Sequence, residues 1–414
     1  MKVVLIHGKY FNSWEALGLG YIAAYLRHKI PEVSLCFFQG VFDSDEAILS
    51  CSSDADWVLF SCTSPTYKWA GRLATIIKTL YHARTVIGGY HASACPQMVG
   101  PQFDHVVIGE GEDAAYRLIS GQETCRFVLG RPMRFEELPW PDRKLIRNER
   151  NIQVAARDND KRITSFQSHR GCPFSCKFCA DGARKVFYPD GKPVCRTRDI
   201  DNLLAEIALV SKKYRLDFFK FCDPTWNIDK EWVKEFCGQK TTTRTPPYFA
   251  NIHAGVCDEE MFSLMSRSGC EQVGMGIESG SDRVLQAIGK RATKDQIRQA
   301  VQWCKHHGIY VRGYFILGVP EETEDDIKQT EAFAEELDLD EYGFSLLCPY
   351  PGTDYYHRNP SLWTQDWEGT DEYANDFWHT ETVSNVRLRE TQAGLVAKFR
   401  ERITQHQRRL SDEP

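Results

Sequence analysis

The chain has 414 residues, of which 42% are hydrophobic and 26% are charged, and its formal net charge is -6. This composition is that of a globular protein and excludes a disordered or fibrous chain, while the length predicts two or three domains. The acidic balance disfavours nucleic acid, or another polyanion, as the partner without excluding one.

Apolar runs and cysteine content indicate the compartment in which the chain works. No run approaches the roughly 18 apolar residues of a membrane span. The apolar stretch at the start is too short for a signal peptide and reads as a β-strand. In a chain with these features, 15 cysteines predict reduced thiols for metal binding or catalysis rather than disulfides. We therefore expect a cytoplasmic enzyme without a membrane partner.

Residues 1–125 alternate short apolar runs with helical patterns. The predicted strands cover residues 3–6, 33–38, 57–62, 86–87 and 106–108. Such alternation, with glycines at several strand ends, indicates a doubly wound parallel sheet of the flavodoxin or Rossmann type, whose ligands lie beyond the carboxyl ends of the strands. Residues 126–160 are rich in proline and charge and are predicted to be a linker.

A second alternation of strands and helices begins near residue 161. Its predicted strands cover residues 163–167, 218–222, 248–252, 273–277, 309–317 and 342–347. Six strand–helix units are too few for a closed eight-stranded barrel. We therefore predict a partial (β/α)6 barrel over residues 161–355, with functional side chains at the C-terminal strand ends. A change to aromatic, acidic and then arginine-rich sequence predicts a helical segment over residues 356–414.

Three cysteines carry the sharpest chemical signal in the chain. Cys172, Cys176 and Cys179 are spaced C-x3-C-x2-C directly after the first strand of the predicted barrel. Three thiolates on one loop can bind three irons of a [4Fe–4S] cluster and leave the fourth iron open to an outside ligand. A zinc knuckle, with His169 or Cys195 as the fourth ligand, is the alternative.

This motif in this position resembles that of the radical S-adenosylmethionine (SAM) superfamily. The resemblance implies that the open iron binds SAM. It also implies that an electron from the cluster cleaves SAM to a 5′-deoxyadenosyl radical, which abstracts hydrogen from the substrate. An external electron donor of the flavodoxin or ferredoxin type is implied as well. Phe178, just before the third cysteine, is expected near the adenine of SAM, with packing in the core as the alternative.

The fifth predicted barrel strand resembles the adenine-binding segment of the same superfamily. In the stretch 314–321, Ile316 and Gly318 match the pattern, whereas Tyr314 stands where a glycine is usual. Strand alternation places Arg312 on the same face as Ile316. An Arg312 that faces the barrel interior needs an anionic partner, which is either the SAM carboxylate or a structural ion pair.

Further candidate residues lie at the ends of the remaining barrel strands. Glu278 and Ser279 resemble the ribose-binding segment, with helix capping as the alternative for Ser279. Asp223 stands where the family binds the SAM amino group, although the usual Gly-Gly-Glu is absent. His253 and Cys348 are the candidate catalytic residues that face the substrate. Their alternatives are a satisfied buried histidine and a small buried hydrophobe.

The first domain resembles the cobalamin-binding domain that precedes the barrel in one class of the superfamily, the class B radical SAM methylases. The cofactor contacts that the resemblance implies are Gly18, Ser61, Thr63, Gly88, Gly89, His91, Gly109 and Glu110. The Asp-x-His-x-x-Gly signature of other cobalamin proteins is absent, as it is from many members of this class. A domain that has lost its ligand, or that binds another nucleotide, is the alternative.

These resemblances lead to three hypotheses of function. The first is cobalamin-dependent methylation of a small molecule in a biosynthetic pathway, with SAM as the source of both the radical and the methyl group. The second is radical dehydration, epimerisation, oxidation or rearrangement with an empty first domain. The third is a non-catalytic iron–sulfur or zinc sensor, against which the predicted SAM pocket argues.

Overall fold

In a computed structural model, residues 1–10, 13–183, 195–368, 370–373 and 375–412 are described, the side chains of 363 and 402–412 excepted. This part of the chain contains two six-stranded sheets and one two-stranded ribbon. The predicted fold classes, a doubly wound sheet followed by a partial barrel and a helical segment, are confirmed. Among the described residues, no helix combines the length and the apolar character needed to cross a lipid bilayer.

The first sheet is parallel and covered on both faces. Its strands are β1 (Lys2–His7), β2 (Ser34–Gln39), β3 (Trp57–Ser61), β4 (Arg84–Gly88), β5 (His105–Ile108) and β6 (Phe127–Leu129). Its helices are α1 (Leu17–Lys29), α2 (Asp45–Ser52), α3 (Ser64–Leu80), α4 (Tyr90–Ala94) and α5 (Gly111–Ile119). The strand order is β2-β1-β3-β4-β5-β6. Val3 and Leu5 pack into one apolar cluster and Val4 and Ile6 into another, which explains the continuous apolar run in β1.

The stretch predicted as a linker adds a strand to the first sheet and is bound to the barrel through Arg143. Strand β6 pairs with β5, so the first sheet extends past the predicted boundary at residue 125. Helix α6 (Asn148–Asn159) follows, and Arg143 before it is 5% exposed. The Arg143 guanidinium donates to the carbonyl of Ser165 at 2.8 Å and pairs with Glu206 at 3.0 Å. Because breaking a buried ion pair costs about 3–5 kcal/mol, this stretch is bound firmly to the barrel.

The second sheet contains every strand that the sequence predicts for the barrel. Its strands are β7 (Ile163–Phe166), β10 (Phe218–Phe221), β11 (Tyr248–Ile252), β12 (Cys270–Glu278), β13 (Tyr310–Leu317) and β14 (Glu341–Leu346). The ribbon of β8 (His169–Arg170) and β9 (Arg196–Thr197) follows β7. The helices are α7 (Ala180–Ala183), α8 (Ile200–Tyr214), α9 (Lys230–Lys240), α10 (Glu259–Arg267), α11 (Asp282–Ala287), α12 (Lys294–His306) and α13 (Glu324–Leu337). The strands are parallel in the order β14-β13-β12-β11-β10-β7.

The two faces of the second sheet differ in polarity because successive side chains alternate. On the outer face, Phe219 and Phe221 pack against Tyr248 and the aromatic rings of α9. On the opposite face, the strand register aligns four neighbouring residues, namely Asn251, Gly274, Arg312 and Glu341. The barrel therefore has an apolar outer layer and a polar interior.

The C-terminal segment covers the last strands of the barrel. Its helices are α14 (Asp354–His357) and α15 (Asn385–Asp412). The ring of Phe399 on α15 lies 4.2 Å from that of Tyr342 on β14. The carbonyl of Glu372 accepts the N–H of Leu346 at 2.9 Å, which extends the pairing at the free edge of β14. The segment thus protects an edge that a partial barrel would otherwise leave open.

Candidate active site

The three predicted cluster cysteines lie on one loop, residues 171–179, between β8 and α7. None of them forms a disulfide and all have intermediate exposure, namely Cys172, Cys176 and Cys179. The loop is fixed against the segment that follows α11. The N–H of Lys177 donates to the carbonyl of Ile288 at 3.0 Å, and Cys176 Sγ lies 3.8 Å from the carbonyl oxygen of Gly289. The protein thus presents three thiols on a loop of defined shape.

The donor set fits an iron–sulfur cluster better than a zinc ion. His169 is completely buried, its ring packs against Trp232 at 4.5 Å, and its Nδ1 lies 2.7 Å from Ser168 Oγ. Within the described ranges, no histidine, cysteine or carboxylate completes a zinc-sized group with the three thiols. Structural zinc requires four protein ligands, whereas three thiolates suffice for a cluster with one open iron.

Asp223 supports the residues that lead into the cluster loop, and its contact with the SAM amino group stays a prediction. Its carboxylate is 1% exposed and accepts the N–H groups of Ser168 and His169, each at 3.0 Å. Ser168 Oγ donates to the same carboxylate. Since both oxygens are already bound and buried, Asp223 fixes the residues that lead into the cysteine motif.

His253 is a buried histidine with both ring nitrogens hydrogen-bonded, which favours the alternative to its predicted catalytic role; that role stays a prediction. Its Nδ1 accepts the N–H of Gly255 at 3.1 Å, and its Nε2 donates to the carbonyl of Lys290 at 2.8 Å. Burial lowers its pKa to about 4. The ring stacks on Phe174 of the cysteine loop, with centroids 3.8 Å apart. His253 therefore positions the loop.

Lys290 is a charged residue of this site that the sequence analysis missed. It is 6% exposed, and its Nζ lies 2.8 Å from Oε1 of Glu278. Burial alone would lower the pKa of Lys290. The negative charge of Glu278 and the nearby Cys176 and Cys179 outweigh this effect, so the pKa of Lys290 lies above its ordinary value. Lys290 thus places a positive charge beside the cluster thiols. Its only sequence signal is a position shortly after the helix that follows β12, which periodicity does not distinguish.

Glu278 and Ser279, predicted at the ribose, are both buried. Glu278 adopts a left-handed backbone with φ of 65°, a conformation that is uncommon for a residue other than glycine. Ser279 is completely buried; its Oγ lies 3.1 Å from Thr330 Oγ1 and accepts the N–H of Ser281 at 3.2 Å. The Ser279 hydroxyl is therefore hydrogen-bonded within the protein, and its contact with the ribose stays a prediction. A ribose contact for Glu278 stays a prediction.

The predicted adenine segment is in place at the end of β13. Phe178 and Ile316 are partly buried and pack against the barrel core. Gly318 has φ of 86°, its N–H donates to Glu322 Oε2 at 2.7 Å, and its carbonyl accepts from Trp378 Nε1 at 2.7 Å. The C-terminal segment therefore fixes this glycine from outside. Adenine contacts of these residues stay predictions.

Arg312 and Cys348 lie in surroundings that disfavour their predicted roles. Arg312 faces the barrel interior and has Glu341 as its partner, with Nε 3.4 Å from Oε1. This contact is the structural ion pair of the two alternatives, and a contact of Arg312 with the SAM carboxylate stays a prediction. The Cys348 thiol is 5% exposed, and burial raises its pKa far above the usual range. Its burial favours the alternative of a small buried hydrophobe, and its predicted place facing the substrate stays a prediction.

The carboxyl edge of the first sheet contains the residues predicted for the cobalamin site. Those that are partly or fully exposed are Gly18, Ser61, Thr63, Gly88, Gly89, Gly109 and Glu110. Gly89 has φ of 93°, and a Cβ at this position would lie 2.6 Å from the carbonyl oxygen of Cys62. Only glycine fits there without displacing the backbone. Thr63 is the N-cap residue of α3, and its N–H donates to Thr66 Oγ1 at 3.1 Å.

Two of the predicted cobalamin contacts also have partners within the protein, although Nε2 of His91 is buried without one. His91 is 5% exposed; its ring stacks on Tyr67 at 4.1 Å and its Nδ1 lies 3.0 Å from Ser64 Oγ. Burial lowers its pKa to about 4. Glu110 accepts from Arg170 at 2.9 Å and also pairs with Arg196. In the structure, His91 contacts the start of α3 and Glu110 joins the two sheets. Cobalamin contacts of both residues stay predictions.

Comparison with known proteins identifies both halves of the chain. Residues 3–119 match the family model of the B12 binding domain, and residues 166–334 match that of the radical SAM superfamily. The chain joins a B12-binding domain to a radical SAM domain. It is therefore an enzyme of the radical SAM type, and both domains that hold the predicted cofactors, cobalamin and a SAM-cleaving [4Fe–4S] cluster, are present.

Individual relatives extend over most of the chain. An uncharacterized methyltransferase of Pyrococcus horikoshii is 29% identical over 377 residues, which cover 85% of this chain and 80% of the relative. The anaerobic magnesium-protoporphyrin IX monomethyl ester cyclase of Rubrivivax gelatinosus is 26% identical over 405 residues, with coverages of 86% and 70%. The radical SAM methyltransferase TsrM of Kitasatospora setae, solved with cobalamin and a [4Fe–4S] cluster, has a TM-score of 0.73 at 16% identity. That match covers 96% of this chain and 90% of the other, so the two share a fold across both domains.

Proposed function

We propose that this chain is a cobalamin-dependent radical SAM methyltransferase that acts on a small molecule in a biosynthetic pathway. When bound, the cluster and SAM supply a 5′-deoxyadenosyl radical, and cobalamin supplies a methyl group that comes from a second SAM. An external donor of the flavodoxin or ferredoxin type provides the electrons. The relative named a methyltransferase and the cobalamin-bound neighbour in fold support this proposal.

One observation carries the proposal: the carboxyl edge of the first sheet meets the cluster loop. Glu110 and Glu112 follow β5 at the edge where a doubly wound sheet binds its ligand. Both pair with Arg170, which is two residues before Cys172. The contact favours one site shared by both cofactors over an empty first domain.

The chain's own residues have distinct roles in this proposal. The three cysteines bind the cluster, and Lys290 supplies a positive charge beside it. The polar interior of the barrel binds and orients the substrate. Tyr314 lines this interior, since a Cβ on Gly274 would come within 2.9 Å of its ring and one on Gly343 within 3.2 Å. These glycines make room for an aromatic ring where the related pattern has a glycine.

Methyl-labelled SAM tests the proposal without knowledge of the substrate. The chain, reconstituted anaerobically with iron, sulfide and hydroxocobalamin and then reduced, should move label from SAM to the protein-bound cobalamin and release S-adenosylhomocysteine in equal amount. The control is the same chain reconstituted without cobalamin, which should release only 5′-deoxyadenosine and methionine.

The cyclase relative provides a specific reason to consider radical chemistry without methyl transfer. In that case the cobalamin-loaded chain would cleave SAM to 5′-deoxyadenosine but leave the label on methionine. Absence of S-adenosylhomocysteine from a sample with bound cobalamin would therefore reject the methyltransferase proposal in favour of this second function.

A further inference from the structure

A buried ion-pair cluster connects the first sheet with the cysteine loop. It consists of Arg170, Arg196, Glu110 and Glu112, which we call the inter-sheet cluster. Arg170 Nη1 lies 2.9 Å from Glu110 Oε2, and Arg170 Nη2 lies 2.7 Å from Glu112 Oε1. Their side chains are 9%, 15% and 4% exposed. The two carboxylates follow β5, whereas the arginine ends β8 in the barrel domain.

The Arg170 guanidinium is held on every side. Its Nε donates to Gln167 Oε1 at 2.9 Å, which orients the group from within its own domain. The plane lies over the rings of Tyr21 and Phe135, at 5.1 and 5.5 Å from their centroids. Two carboxylates and two aromatic rings from the N-terminal part of the chain thus enclose one side chain. The planar fork of arginine suits such a two-point contact, and lysine cannot replace it geometrically.

A second arginine fixes the same carboxylate. Arg196 pairs with Glu110 and donates from Nη1 to the carbonyl of Met133 at 2.8 Å. The N–H of Met133 in turn donates to Glu110 Oε2 at 2.9 Å. Since β9, which contains Arg196, pairs with β8, both arginines belong to the ribbon that leads into the cysteine loop.

Stability alone does not explain why these positions are charged. Apolar residues of similar volume stabilise a buried interface as well as an ion pair does, or better. What the charged version adds is a fixed separation and orientation, because charge-assisted bidentate bonds are directional. Fixed geometry matters here, since Cys172 is two residues from Arg170 and the ligand edge of the first sheet begins at Glu110.

We propose that the inter-sheet cluster sets the distance between the cluster-binding loop and the ligand edge of the first sheet. Arg170 and the two glutamates are then positioning residues for methyl transfer. The effect on methyl transfer rests on the proposed function. The coupling between the two loops does not depend on it.

The test compares Arg170→Lys with Arg117→Lys, the same substitution at an ion pair of helix α5 that stays outside the inter-sheet cluster. Hydrogen exchange of the cofactor-free chain provides the first readout. Arg170→Lys should raise the rate of exchange about tenfold in both segments, residues 105–112 and 168–179. Arg117→Lys should raise the rate in neither segment. A rise confined to 168–179 would overturn the proposal.

The second readout uses the fully loaded enzyme and is insensitive to a mere loss of stability. The reduced cluster and the Co(II) form of cobalamin are both paramagnetic, so their magnetic interaction in the electron paramagnetic resonance spectrum reports their separation. Arg170→Lys should change this interaction at unchanged iron and cobalt content. An interaction identical to that of the unsubstituted chain would contradict the proposal. A chain that binds no cobalamin would reject the proposed function, while the exchange experiment would still decide on the coupling.

Discussion

Replacing Cys172, Cys176 and Cys179 together by alanine abolishes the iron–sulfur cluster. The three thiolates are the only cysteine ligands that the loop offers, and each binds one iron. We expect the reconstituted variant to lose the visible iron–sulfur absorption, to retain none of the about four irons of the unsubstituted chain, and to cleave no SAM. Iron and sulfide analysis after desalting, with assay of 5′-deoxyadenosine, measures these losses.

A matched control removes the same number of thiols elsewhere. Cys36, Cys51 and Cys125 lie in the first domain and its continuation, and none of them is completely buried. Their combined replacement by alanine should leave the iron content unchanged. Iron that persisted in the first variant would contradict the assignment, and one zinc per chain in the unsubstituted protein would favour the knuckle.

Replacing Lys290 by methionine destabilises the chain, because Glu278 then stays buried without its partner. Lys290 and Glu278 are each 6% exposed, and removing one member of such a pair costs about 3–5 kcal/mol. Anaerobic urea unfolding of the cofactor-free chain should show this loss as a lower midpoint. We also expect fewer irons per chain after reconstitution, since the segment at residues 288–290 fixes the cysteine loop.

The double variant Lys290→Met/Glu278→Gln separates charge from packing. If the uncompensated carboxylate causes the loss, the double variant should recover most of the stability that Lys290→Met loses. Lys305→Met is the control, since its pair with Asp338 is exposed and is worth at most about 1 kcal/mol. If Lys290→Met and Lys305→Met lowered the free energy of unfolding equally, the buried pair would be no more stabilising than the exposed pair.

The strands were predictable because each is a local apolar run. Tyr248–Ile252 begins and ends where the sequence predicts, and the other barrel strands differ from prediction by a few residues at their ends. Strand β6, at Phe127–Leu129, was missed. Its three residues stand at the edge of the sheet within a proline-rich and charged stretch, and only the pairing with β5 makes them a strand.

The site was predictable where its chemistry depends on spacing, and not where it depends on distant partners. The cysteine motif is local, so its place on a loop beside the barrel followed from the sequence. The roles of Asp223, His253 and Glu110 depend on partners as far as 86 residues away. A residue that binds the cysteine loop and one that binds a ligand look alike in the sequence. Lys290 was not predicted, because only the fold brings it close to the cluster thiols.

Cobalamin and the iron–sulfur cluster bind to this chain at the same time, and the cofactor content of one sample measures both. After anaerobic reconstitution with iron, sulfide and hydroxocobalamin and subsequent desalting, we predict about four irons and about one cobalt per chain. Gly89→Ala, which brings a Cβ against Cys62, should lose cobalt and keep iron, whereas Gly238→Ala, in open space on α9, should keep both. Four irons without cobalt in the unsubstituted chain would contradict the account.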